Sequence, residues 1–127
     1  MAVSVIHTVL NFFSKEPAMP HLPAPYKRFV KDFPEVSKAY SGFAKACHEH
    51  GPLDEKTRRL VKLGVAVGLC SEGAVKSHAR RALQIGASPE EVRHAVLLGM
   101  TTVGFPSTIA ALEWIQEVLP AKRKKKK

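Results

Sequence analysis

The chain has 127 residues, 45% of them hydrophobic, and carries 20 lysines and arginines against 11 aspartates and glutamates, a formal net charge of +9. That length and apolar content suit one domain with a real core and exclude global disorder, and no apolar run reaches the ~18 residues of a membrane span. Two cysteines, Cys47 and Cys70, are too few for a disulfide framework and fit a reducing, cytoplasmic setting.

The opening stretch MAVSVIHTVLNFF places Ile6, Val9, Leu10 and Phe13 on one helical face. It lacks the basic leader and small-residue cleavage site of a secretory signal, so a packing helix is expected. Prolines 17, 20, 23 and 25 make residues 17–25 an expected extended linker. Phe29, Phe33, Val36, Tyr40, Phe43 and Cys47 then alternate spacings of four and three, an amphipathic stripe that makes Cys47 a packed thiol. Pro34 marks the first turn of the regular helix, and Gly51 and Pro52 end it.

A second helix is expected from Asp54 as N-cap. Leu60, Val61, Leu63, Val65, Val67 and Leu69 surround its axis, the pattern of a central helix. A third is expected over residues 72–85, with Gly86 as its left-handed stop and Val75, His78, Ala79, Ala82 and Leu83 as its inner stripe. Ser88, Pro89 and Glu91 spell a capping box for a fourth, whose small-residue face is Val92, Ala95, Val96 and Gly99. Gly104, Phe105 and Pro106 break the chain, and a fifth helix runs from Ser107 through Ile109, Leu112 and Ile115. No segment alternates as a strand does, so the fold class is an all-α bundle of five to six helices.

The last six residues are all basic: Lys122 and Arg123, then Lys124, Lys125, Lys126 and Lys127. Without them 14 basic residues face 11 acidic ones, a net of +3, so most of the charge is a tail expected to be disordered. Such a tail can touch nucleic acid or an anionic membrane, but a solvated tail is the simpler expectation. The expected organisation is an apolar segment and linker over 1–25, a helical domain over 26–120 and the basic tail over 121–127.

Six histidines are present, with no persuasive metal-ligand spacing and no cofactor motif. His48 and His50 fall near a helix C-terminus and suit the surface. His7 and His21 lie in peripheral segments, and His94 has no evident partner. His78 differs: it sits at mid-helix on the inner stripe beside Ala74, Ala79 and Ala82, with room around an imidazole that titrates near neutral pH. The competing reading is a core histidine bonded to a backbone carbonyl. Arg58, Arg59 and Lys62 on the second helix and Lys76, Arg80 and Arg81 on the third can face one pocket, where a guanidinium clamps a carboxylate. Ser71 and His78 lie ~10 Å apart along a helix, too far for a Ser–His dyad.

The stretches LDEKTRRLVKLGVAVG at 53–68, SEGAVKSHARRALQIGASPEEVRHAV at 71–96 and GFPST at 104–108 resemble the carboxymuconolactone decarboxylase-like family, which also contains the alkyl hydroperoxidase D-like proteins. The resemblance implies a homo-oligomer, a trimer or hexamer, with an active site between helices at a subunit boundary. The redox branch of that family carries a glutamate, a Cys-x-x-Cys and a histidine. Those positions fall here on Arg59, on Ser71 and Ala74, and on His78. Only the histidine survives, and neither Ser71 nor Ala74 can attack a peroxide or resolve a sulfenic acid.

The decarboxylase branch, which lacks the dithiol and keeps the histidine, fits better. It implies a small anionic substrate, a lactone bearing carboxylates, with His78 as proton donor and Arg59 holding a carboxylate. Arg58, Ser71 and Phe105 complete the expected substrate-binding set. Two alternatives remain at this level: an atypical peroxidase-type oxidoreductase using Cys70, and a non-catalytic oligomeric binding module.

Overall fold

The computed structural model describes residues 22–121, which are helical with no strand among the described residues. They fall into two compact units that divide between Gly51 and Pro52. The N-terminal segment up to His21 and the basic residues from Lys122 onward lie outside the described residues.

The first unit holds α1 (Ala24–Asp32) and α2 (Pro34–Glu49). The expected linker ends earlier than its prolines suggest: Pro25 lies in the first turn of α1, and the Pro23 carbonyl accepts from the backbone N–H groups of Tyr26 and Lys27 at 3.0 and 3.1 Å. Proline lacks the N–H that a first turn leaves unused, so it opens a helix as readily as it breaks one. Phe33 separates the two helices at φ −131° and ψ 62°, because the Pro34 ring drives the preceding residue out of helical space. Within α2 only Ser37 is buried, and Phe33, Val36, Tyr40 and Phe43 are exposed. The amphipathic stripe is real, but Cys47 is exposed rather than packed.

The second unit holds α3 (Glu55–Gly68), α4 (Glu72–Gln84), α5 (Pro89–Leu97), a 3₁₀ turn (Leu98–Thr101) and α6 (Phe105–Gln116). The start signals act as read. Asp54 Oδ1 accepts from the Thr57 N–H at 2.8 Å, a bond that holds the carboxyl below its ordinary pKa. Ser71 Oγ accepts from the Ala74 N–H at 3.4 Å, and Ser88 Oγ from the Glu91 N–H at 3.0 Å. The reciprocal half of the capping box is replaced: Glu91 Oε1 accepts from Lys56 Nζ at 3.2 Å.

α4 ends as its glycine foretells. Gly86 adopts φ +100°, its N–H reaches the Leu83 carbonyl at 3.1 Å, and the Ala87 N–H reaches Ala82 at 3.0 Å, a Schellman pair. α6 begins two residues before Ser107. Gly104 alone makes the break at φ +94°, and Phe105 and Pro106 already belong to the first turn.

The core of this unit is Leu63, Ala66 and Val67 from α3, Val75, Ala79 and Ala82 from α4, Val92 and Val96 from α5, and Ala111 and Ile115 from α6. Gly99 is needed for close approach, since a Cβ there would lie 3.3 Å from both Val67 and Val103. α3 is not enclosed as its composition predicts: Val61, Val65 and Leu69 are 51, 61 and 71% exposed.

Leu63 has no exposed surface, so Leu63→Ala should lower stability by about 2–5 kcal/mol. Ser88→Ala should cost about 1 kcal/mol through loss of the cap. Denaturant unfolding with both variants checks the order.

A candidate anion site on the α3–α4 seam

The side chains singled out from sequence are positioned chiefly by α3 and α4, joined by only Leu69, Cys70 and Ser71. Arg59 and Lys62 share the side of α3 that carries Leu63 and Ala66, the side buried in the core. Arg59 is 7% exposed, and its Nε donates to Glu55 Oε1 at 2.8 Å, one turn back. The other Glu55 oxygen lies 3.8 Å from Arg58 Nε, so one carboxylate serves two guanidinium groups.

His78 is half-buried at mid-α4, and its Nδ1 is buried with no hydrogen-bond partner. The backbone-carbonyl bond of an ordinary core histidine is therefore absent at that nitrogen. Burial, then the charges of Arg81, Lys62 and Arg59, push its pKa down to about 4. That is below the near-neutral range expected of a free imidazole, so the resting ring carries no proton at pH 7. Arg81, one turn further along α4, also has a buried Nε without a partner. Leaving a buried polar atom unpaired costs about 1–3 kcal/mol, so two on adjacent turns of one helix stand out.

The other candidates separate. Lys76 belongs to a different cluster, its Nζ 2.6 Å from both Glu72 Oε1 and Glu117 Oε2, which raises its pKa. Ser71 uses its Oγ as the α4 cap. Phe105 is 65% exposed at the first residue of α6. Cys70 takes a left-handed φ of +53°, uncommon for a side chain with a Cβ, and its Sγ donates to Ser107 Oγ at 3.3 Å. Among the described residues no group of three or more His, Cys, Asp and Glu side chains gathers to hold a metal, and no helix is long and apolar enough to cross a membrane.

A cavity of about 450 Å³ lies elsewhere, between α3, α5 and the 3₁₀ turn, with Thr57, Leu60, Val61 and Gly64 on its α3 wall. At 100° per residue these positions face away from Arg59. Glu91 and His94 line the opposite wall. Glu91 is expected from sequence only as a cap residue and His94 has no evident partner there; their three-residue spacing, which puts both on one face of α5, is the sequence signal for this wall.

The lowered pKa of His78 has a sign for stability. Below about pH 6.5 the unfolded chain binds a proton that the folded chain refuses until about pH 4. The native state should therefore lose stability from this group as pH falls from 6.5 to 4. His78→Gln should be free of that loss, so the difference between the two unfolding curves should widen across this window. Parallel curves would contradict the assignment.

The carboxymuconolactone decarboxylase family model matches residues 34–117, taking in α2 as well as the helices whose motifs suggested the family. An uncharacterized protein of Methanocaldococcus jannaschii (MJ1511) is 35% identical over 88 residues, 69% of this chain and 82% of that protein. An uncharacterized protein of Haemophilus influenzae is 36% identical over 62 residues, 49% of this chain and 55% of that one. The crystal structure of apo-lpg0406, a carboxymuconolactone decarboxylase family protein from Legionella pneumophila, superposes with a TM-score of 0.64 at 23% identity, covering 88% of this chain and 95% of the other. With an all-α fold in common and the family pattern running from α2 to the end of α6, the chain belongs to the carboxymuconolactone decarboxylase family.

Proposed function

We propose that the α3–α4 seam binds a small carboxylate, and that the reaction carried out there is decarboxylation of a lactone bearing carboxylates. The observation that carries this reading is the placement of His78 Nδ1 and Arg81 Nε, both buried and unpartnered, beside the charges of Arg59 and Lys62. An imidazole nitrogen and a guanidinium nitrogen that are buried without a hydrogen-bond partner suit an incoming ligand, and guanidinium matches carboxylate geometry.

Decarboxylation breaks the bond to the departing carboxyl carbon and leaves its electron pair on the lactone as a dienolate, which must then take one proton. Arg59 holds a carboxylate of the substrate, and the cationic surroundings stabilise the developing negative charge. His78, neutral at rest, gains basicity once the bound anion offsets its cationic neighbours. It takes a proton from solvent and delivers it to carbon. Arg58 is placed by Glu55 near the same charges. Ser71 and Phe105 have weaker claims, one engaged as a cap and the other exposed.

The dithiol route of the redox branch lacks its reagents, since Ser71 and Ala74 stand where two thiols are needed. Two uncovered apolar residues, Val65 on α3 and Leu69 just after it, support assembly as a homo-oligomer; the trimer or hexamer is what the family resemblance implies.

With a carboxymuconolactone as test substrate, His78→Gln should reduce kcat by about 10²–10⁴-fold while the oligomer persists. Arg59→Lys should act mainly through KM. Unchanged turnover in His78→Gln refutes the proton-delivery role.

A further inference from the structure

The cavity on the far side of α3 has a chemistry opposite to that of the cationic seam. We propose that it is a second binding site, for a small uncharged molecule with an apolar body and a hydroxyl group, of the phenol or cyclic-alcohol class. Its volume of about 450 Å³ falls within the ~300–1,000 Å³ of pockets that hold small ligands. Leu60, Val61, Leu98 and Val103 supply apolar wall, and Thr57 and Thr102 supply hydroxyl groups that can donate or accept.

Charge narrows the class. The ionisable side chains lining the cavity are Glu91 and His94. Glu91 repels anions, so the site does not duplicate the carboxylate preference of the seam. Its Oε1 is engaged by Lys56 Nζ at 3.2 Å, which offsets its pull on a cation, and its Oε2 is buried with no hydrogen-bond partner, an acceptor for a donor hydroxyl. A neutral hydroxyl has no such conflict and finds partners in His94 and the two threonines.

Gly64 provides an independent sign. Glycine inside a helix costs about 1 kcal/mol relative to alanine. Such a residue is often required by close packing, as Gly99 is on the other wall. At Gly64 an added Cβ meets no atom within 4 Å, so no neighbour in the chain demands the glycine. Because Gly64 lines the cavity and has open space above it, a larger side chain there can fill the cavity, which makes it the position at which to block the site.

The test is calorimetric titration of the full chain with 4-ethylphenol, against 4-ethylbenzoate as its anionic counterpart. Saturable binding of the phenol is expected, with Gly64→Leu weakening it at least about tenfold by filling the space. Gly64→Ala should fold at least as stably as the parent and bind more weakly than it. In the parent, the His94 ring resonances should shift on addition of the phenol, and His78→Gln should bind it unchanged. The last result separates this site from the proposed carboxylate site, whose failure would leave it standing. Absence of saturable binding to the parent overturns the proposal, as does undiminished binding by Gly64→Leu. So does a Gly64→Leu change in oligomer mass when the parent binds no phenol, which would mark the cavity as a contact between copies.

Discussion

The seam between α3 and α4 is the constraint on which the rest of the structure depends. Ala66 on α3 and Ala79 and Ala82 on α4 are small, fully or nearly buried, and set among Leu63, Val67 and Val75. Small side chains allow two helices to pack closely, and dense packing leaves little freedom to relax. With the helices so fixed, the polar residues next to the seam have little choice of place. Arg59 follows the buried side of α3 inward, and His78 follows the stripe of α4. The charges of Arg59 and Lys62 are thereby brought to bear on an imidazole that has a third cation, Arg81, on its own helix.

The protonated imidazole is disfavoured there twice over, by burial and by the like charges of Arg81, Lys62 and Arg59. His78 is therefore neutral in the resting chain. The same physics makes the site responsive. On the proposed function, a bound anion would offset the neighbouring cations and return basicity to the imidazole, which would link binding to proton supply. On the other side of the same helix, the lining is apolar and the nearby carboxylate has its own lysine. One helix therefore separates two environments of opposite preference.

Much of this was legible in the sequence. Asp54 and Ser88 mark two helix starts, and Gly86 and Gly104 the turns, because caps and left-handed glycines are local devices that need no distant contact. The family pattern and the singular position of His78 were legible for the same reason. Other features depended on neighbours. The composition of α3 suggests full enclosure, yet Val61 and Val65 are exposed among the described residues, because enclosure depends on distant packing that composition does not encode. The exposure of Cys47 follows from what covers α2, which periodicity does not reveal. The displacement of Lys76 into a pairing with Glu117, 41 residues away, is a tertiary event. Pro25 shows a subtler limit, because the same residue reads as linker or as first turn until the following helix is known.

The central claim is that burial first, and then the charges of Arg81, Lys62 and Arg59, hold the His78 imidazole neutral, and that on the proposed function a bound carboxylate raises its basicity. It is tested most directly by an NMR titration of the His78 ring, alone and with the small dicarboxylate fumarate at saturation. The account predicts a pKa near 4 for the free protein and a clear rise with the dicarboxylate bound. A pKa near the ordinary histidine value in the free protein, or one that the bound dicarboxylate leaves unmoved, would contradict it.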